Sequence, residues 1–216
     1  MKDPGQSKVV VLCGPSGAGK SRLARRLSKR HGWPIVRLDD FYREVGDPDL
    51  PMLDQAMEGI PDWDDPRSWD RAAAVDALET LAWTGRVDVP DYDIATSRRV
   101  GHRPIEAPRG SWILAEGIFA AQVVEELRNH GLLAAACCVR NNRWLTFWRR
   151  LLRDLSEHRK PPLVLWRRGL RLARAEPQIV AEQRALGATP LTGHEAEALI
   201  ERLAGCPTAP EHAATR

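Results

Sequence analysis

Short apolar runs alternate along this chain with longer stretches in which apolar residues recur every three or four positions. Val9 to Leu12, Trp33 to Leu38, Trp112 to Ala115 and Leu132 to Val139 are the runs, each rich in β-branched or small apolar residues. Runs of this length without polar alternation predict strands buried on both faces, as in a parallel sheet. Between them, Leu23, Ala24 and Leu27 mark one helix within 21–30, and a second starts at Pro66 with Asp65 as its cap. That second helix takes its apolar face from Trp69, Ala72, Ala73, Val75, Ala77, Leu78 and Leu81 and ends at Gly85. A third runs from about Phe119 to His130, closed by Gly131. Residues 142–157 form a basic helix stopped by Pro161-Pro162, and two shorter helical stretches precede Gly187. Thr192 and Glu195 have capping-box spacing and open a last helix through Leu203. Val87 to Pro90 reads as a short strand before a basic turn at Arg98-Arg99. Strands alternating with helices predict an α/β fold with a mainly parallel sheet between helical layers.

The first strand runs into Gly14-Pro15-Ser16-Gly17-Ala18-Gly19-Lys20-Ser21, which satisfies the spacing G-x-x-x-x-G-K-[ST] and opens a helix. Glycines let successive backbone N–H groups turn toward phosphate oxygens, and the helix N-terminus favours an anion. Gly14, Ser16, Gly17, Ala18, Gly19, Lys20 and Ser21 are therefore candidate ATP-binding residues. Lys20 supplies a point charge for the β/γ phosphates and Ser21 a hydroxyl for Mg²⁺. Strand, loop and helix in this order make an accidental glycine-rich turn improbable, and the pattern predicts a P-loop nucleotide-binding fold.

Carboxylates follow two of the other strands. Asp39 and Asp40 come after the second, and Glu116 after Trp112–Ala115. In open parallel sheets ligands sit beyond the carboxyl ends of strands, so Asp39 and Glu116 are placed to act. The plainer alternative for Asp39 and Asp40, capping or solvating a turn, stays open at this point.

Composition narrows the classes. With 216 residues, 43% apolar and 28% charged, the chain suits one domain over 1–204, with a lid at about 150–162 and a frayed tail over 205–216. No apolar run reaches the roughly 20 residues that span a bilayer. Met1 to Lys8 is polar, so neither a signal peptide nor a membrane partner is expected. Cys13, Cys137, Cys138 and Cys206 lack metal-site spacing and suit reduced thiols in a cytoplasmic protein. The scattered histidines have no metal spacing and are expected in solvent. The net charge of +3 conceals an asymmetry: residues 39–70 carry eleven acidic side chains against Arg43 and Arg67. Residues 143–174 carry ten Arg and Lys against Asp154 and Glu157. Given the phosphate loop, a basic lid over a triphosphate accounts for that segment more economically than nucleic acid, although Trp144, Trp148 and Trp166 lie within it.

In order, Gly-Pro-Ser-Gly-Ala-Gly-Lys-Ser, Asp39-Asp40-Phe41-Tyr42-Arg43, Asp62-Trp63-Asp64-Asp65-Pro66, Pro90-Asp91-Tyr92-Asp93, Glu116-Gly117-Ile118 and Arg149-Arg150-Leu151-Leu152-Arg153-Asp154 resemble uridine kinase and its phosphoribulokinase relatives. The resemblance covers about residues 8–160. It implies an ATP- and Mg²⁺-dependent kinase of a nucleoside-like small molecule, with Asp39 facing the acceptor hydroxyl. It further implies Mg²⁺ held by Ser21, Glu116 and Asp39, and Asp64 on the ribose hydroxyls, with Trp63 and Tyr92 lining the pocket. Arg150 would contact the acceptor and Arg153 the phosphates. Three positions depart from the family pattern: Ser97 where uridine kinases have a histidine, and His158 and Lys160 where the lid has arginines. These departures leave open the acceptor, which could also be pantothenate, ribulose phosphate or another riboside. Also open are self-association, an ATPase switch without a small acceptor, and nucleic-acid end phosphorylation.

Overall fold

A computed structural model describes residues 6–53, 60–140 and 177–205. The predicted basic helix 142–157, with Arg150, Arg153, His158 and Lys160, lies outside the described residues, as do Cys206 and the tail beyond Gly205.

Five parallel strands form the central sheet in the order β2-β5-β1-β6-β7. They are β1 (Lys8–Cys13), β2 (Ile35–Arg37), β5 (Trp112–Glu116), β6 (Leu133–Val139) and β7 (Thr189–Leu191). Because side chains alternate along a strand, β1 feeds two cores. Val9, Val11 and Cys13 face the layer of α2 (Arg71–Thr84) and α3 (Val124–Asn129). Val10 and Leu12 face α1 (Lys20–His31) and α4 (Gly193–Leu203), through Leu23, Leu27, Ala196 and Ile200. The result is the three-layer arrangement that the strand and helix alternation predicts.

Several elements differ from the sequence expectation. Asp65 caps a 3₁₀ turn, Pro66–Ser68, by accepting from the Arg67 amide, and the chain then breaks. α2 starts afresh behind Asp70, whose carboxylate accepts from the Ala73 N–H. Trp69 therefore lies in the break, 3% exposed, donating its indole N–H to the Leu38 carbonyl at 2.6 Å, and Ala72 faces solvent. The helix over 119–130 begins as a 3₁₀ turn, Ala120–Val123. The basic turn at Arg98-Arg99 is the start of β4 (Arg98–Glu106), which pairs antiparallel with β3 (Arg86–Asp93). β7 was not expected either. Cys13, Cys137 and Cys138 are buried thiols, in no disulfide among the described residues. His31 is packed rather than solvated, its ring stacked 4.3 Å from Trp33. The capping box of α4 forms as predicted, with both Thr192 and Glu195 bonds present.

Candidate active site

The parallel register brings the carboxyl ends of β1, β5 and β2 side by side, since Leu12 pairs with Glu116 and Arg37 with Glu116. Everything that follows these strands is thereby delivered to one edge.

From β1 the phosphate loop turns out over Gly14, at φ 132°. A Cβ there would lie 2.3 Å from the Val139 carbonyl oxygen, so only glycine fits this close approach. Gly19, in the left-handed region, leads into α1. Lys20 folds back into the loop and donates to the carbonyls of Gly14 at 2.9 Å and Pro15 at 3.1 Å. Burial holds its ammonium below the usual lysine range, against the pull of Asp39 and Glu116. Ser21 donates its hydroxyl to Glu116 Oε2 at 2.9 Å. Glu116 is 7% exposed, and burial pushes its carboxyl above the usual range, opposed by the Ser21 hydrogen bond. Asp39 adds to that rise and Lys20 opposes it.

β2 runs into a 3₁₀ turn, Leu38–Phe41, and this turn separates the two aspartates. Asp39 points to the edge where β5 ends. Its Oδ1 accepts from the Ile118 N–H at 3.0 Å, and a Cβ on Gly117 would come within 2.8 Å of that same oxygen. Asp40 points inward, 1% exposed, between Arg103 of β4 at 2.9 Å and Arg37 at 3.1 Å. Adjacent acids thus take different tasks. One stands at the sheet edge beside Ile118, and the other pins the β3–β4 hairpin.

Asp64 is exposed and shares the wall of a cavity of about 460 Å³ with Gly14, Pro15 and Ser16 of the phosphate loop. Pro66, Ile118, Phe119, Ala121 and Gln122 also line it, with Gln178, Ile179, Glu182, Gln183 and Leu186. Trp63 is half-buried, edge-on to Tyr42 at 5.9 Å, and its carbonyl accepts from the Tyr42 hydroxyl at 3.4 Å. Tyr92 is buried, donating its hydroxyl to the Arg43 carbonyl at 3.0 Å, with its ring 6.0 Å from Tyr42. Neither Trp63 nor Tyr92 lines the cavity. Tyr42 is the hub between them, and its hydroxyl is pushed far up by burial and by the charges of Asp39 and Asp64. Tyr42, Phe119 and Gln183 were given no role from sequence, and Asp40 was read only as capping or solvating a turn. Only Tyr42 carried a signal, in its place after Asp39-Asp40-Phe41.

Ser21, Glu116 and Asp39 offer hard oxygen donors, the set that suits Mg²⁺. Among the described residues no group of three or more His, Cys, Asp and Glu could hold a metal by itself. Among the described residues no helix is long and apolar enough to cross a membrane.

Comparison with known proteins finds likenesses of sequence and of fold. A family model described as an AAA domain matches residues 9–82, from β1 into α2. "Inorganic pyrophosphatase TTM1" of Arabidopsis thaliana is 30% identical over 155 residues, 71% of this chain and 22% of that protein. "Uridine-cytidine kinase C" of Dictyostelium discoideum is 27% identical over 163 residues, 74% of this chain and 33% of that protein. The chain thus spans a third or less of these curated relatives. A solved structure from Silicibacter sp. TM1040, provisionally assigned as a fructose transport system kinase, superposes with a TM-score of 0.57. It is 18% identical, covering 87% of this chain and 88% of that one, a likeness of fold.

Proposed function

The chain carries the phosphate loop and fold of the P-loop kinases, and from that premise we propose that it transfers the γ-phosphoryl group of Mg-ATP to a hydroxyl of a small molecule. The acceptor is a nucleoside of the uridine or cytidine type, phosphorylated at its 5′-hydroxyl. The observation that carries this reading is the meeting of Ser21, Glu116, Lys20 and Asp39 at one sheet edge, with the Ser21–Glu116 hydrogen bond at 2.9 Å.

When bound, ATP supplies the phosphoryl group and Mg²⁺ neutralises charge on its oxygens. The loop amides and Lys20 hold the β/γ phosphates. Ser21 and Glu116, with Asp39, would hold the Mg²⁺ ion. Asp39 takes the proton of the acceptor hydroxyl as the new oxygen–phosphorus bond forms and the bond to the ADP oxygen breaks. Because the transition state is loose, Asp39 acts mainly by positioning that hydroxyl in line. Asp64, on the same cavity as the phosphate loop, accepts from vicinal ribose hydroxyls. Arg150 and Arg153, outside the described residues, belong to this reading as contacts to acceptor and phosphates. A cytoplasmic setting and the absence of a nucleic-acid partner belong to it as well.

A panel with Mg-ATP and uridine, cytidine, pantothenate and ribulose phosphate tests the assignment. Uridine or cytidine is expected to turn over fastest. Asp64→Ala should raise the KM for that nucleoside about ten- to hundredfold, the loss of hydrogen bonds to a charged group, and leave the KM for ATP unchanged. Turnover of an acceptor without a vicinal diol, indifferent to Asp64, would contradict ribose recognition.

A further inference from the structure

Gln183 belongs to no motif, yet it is 6% exposed and both ends of its amide are engaged. It sits on helical residues 177–185. Its Oε1 accepts from the Cys138 thiol at 3.2 Å, at the carboxyl end of β6. Its Nε2 donates to the Ile118 carbonyl at 3.0 Å, two residues beyond β5. A thiol is a weak donor, so the carbonyl fixes the amide's orientation.

The Ile118 backbone is used on both sides, through the two peptide groups that meet at its Cα. Its carbonyl takes the Gln183 amide and its N–H holds Asp39 Oδ1 at 3.0 Å. There is little slack in this turn, because a single added methyl on Gly117 would strike Asp39 at 2.8 Å and the Leu38 side chain at 3.0 Å. A displacement of the Ile118 peptide therefore moves the Asp39 carboxylate. Gln183 and Ile118 also both line the cavity that holds Asp64. A residue chosen only to fill this space would be apolar, since a buried amide is costly unless its partners are in place.

We infer that Gln183 is a positioning residue for phosphoryl transfer. It fixes the Ile118 peptide, and through it Asp39, and makes that geometry depend on where the helical residues 177–185 sit. This rests on the assignment of Asp39 to the acceptor hydroxyl.

Two variants test it. Gln183→Met keeps length and bulk while removing both hydrogen bonds. It should lower kcat about ten- to hundredfold, the cost of a misplaced reacting group, with the KM for ATP unchanged. Amide hydrogen exchange at Ile118 should quicken about tenfold, the loss of one net hydrogen bond. Gln183→Glu can donate to the Ile118 carbonyl only when protonated. Its kcat should approach wild type at low pH and fall as pH rises, a step absent from wild type and from Gln183→Met. Wild-type kcat and wild-type Ile118 protection in Gln183→Met, or no added pH step in Gln183→Glu, would overturn the inference. Should the wild type phosphorylate no acceptor, the kinase assignment falls. Ile118 exchange in Gln183→Met then decides alone: faster exchange upholds the tie to the Asp39 turn, and unchanged exchange breaks it.

Discussion

Asp39→Asn is expected to lower kcat about 10²- to 10⁴-fold, the usual range for loss of a positioned acid–base group. The replacement is close to isosteric, and its side-chain oxygen can still accept from the Ile118 N–H, so the turn should hold its shape. What disappears is the negative charge at the edge shared with Lys20 and Glu116, and the acceptor for the hydroxyl proton. The KM for ATP should change little if Asp39 serves mainly the acceptor, and should rise if it serves mainly the metal. Steady-state kinetics with both substrates varied separates the two. Asp40→Asn gives the contrast. Asp40 faces Arg103 and Arg37 rather than the loop, so its loss should reach activity only through the hairpin that it pins.

Lys20→Met should reduce kcat/KM for ATP about 10²- to 10³-fold, the cost of removing one preorganised electrostatic donor. Lys20 is 6% exposed, and among the described residues its ammonium donates to two loop carbonyls, at 2.9 and 3.1 Å. Burial works against its charge and holds its ammonium below the usual lysine range. The substitution relieves that desolvation while giving up two hydrogen bonds, so the melting temperature should stay within a few degrees of wild type. Activity and stability thus part company, which a lysine kept for packing alone would not show. A thermal melt beside the kinetic assay checks both halves.

How much of this was legible in the sequence depended on how local each feature is. The phosphate loop, β1 and α1 are continuous in the chain, and their apolar spacing suffices to place them. Glu116 and Asp39 were legible because a parallel sheet collects whatever follows its strands. β4 escaped because Arg98–Glu106 buries little beyond Ile105 and contains Gly101 and Pro104, leaving no alternation to read. β7 escaped because it is three residues long and includes Pro190. The break at Trp69 was hidden by two good caps in succession. Asp65 and Asp70 can each start a helix, and only the packing of Trp69 onto Leu38 shows that both do. The separate tasks of Asp39 and Asp40 follow from Arg103, which is 63 residues away in the chain. Gln183 had no signal at all, since its partners Cys138 and Ile118 meet it only in three dimensions.

Kinases and acceptor-independent phosphohydrolases can share a phosphate loop, and one curated relative is named for pyrophosphatase activity. The discriminating measurement is a ³¹P NMR time course of the wild-type protein with Mg-ATP and uridine or cytidine. The account predicts a phosphate monoester of the nucleoside appearing mole for mole with ADP, and little inorganic phosphate. ADP and inorganic phosphate accumulating at the same rate whether or not any acceptor is present would contradict it.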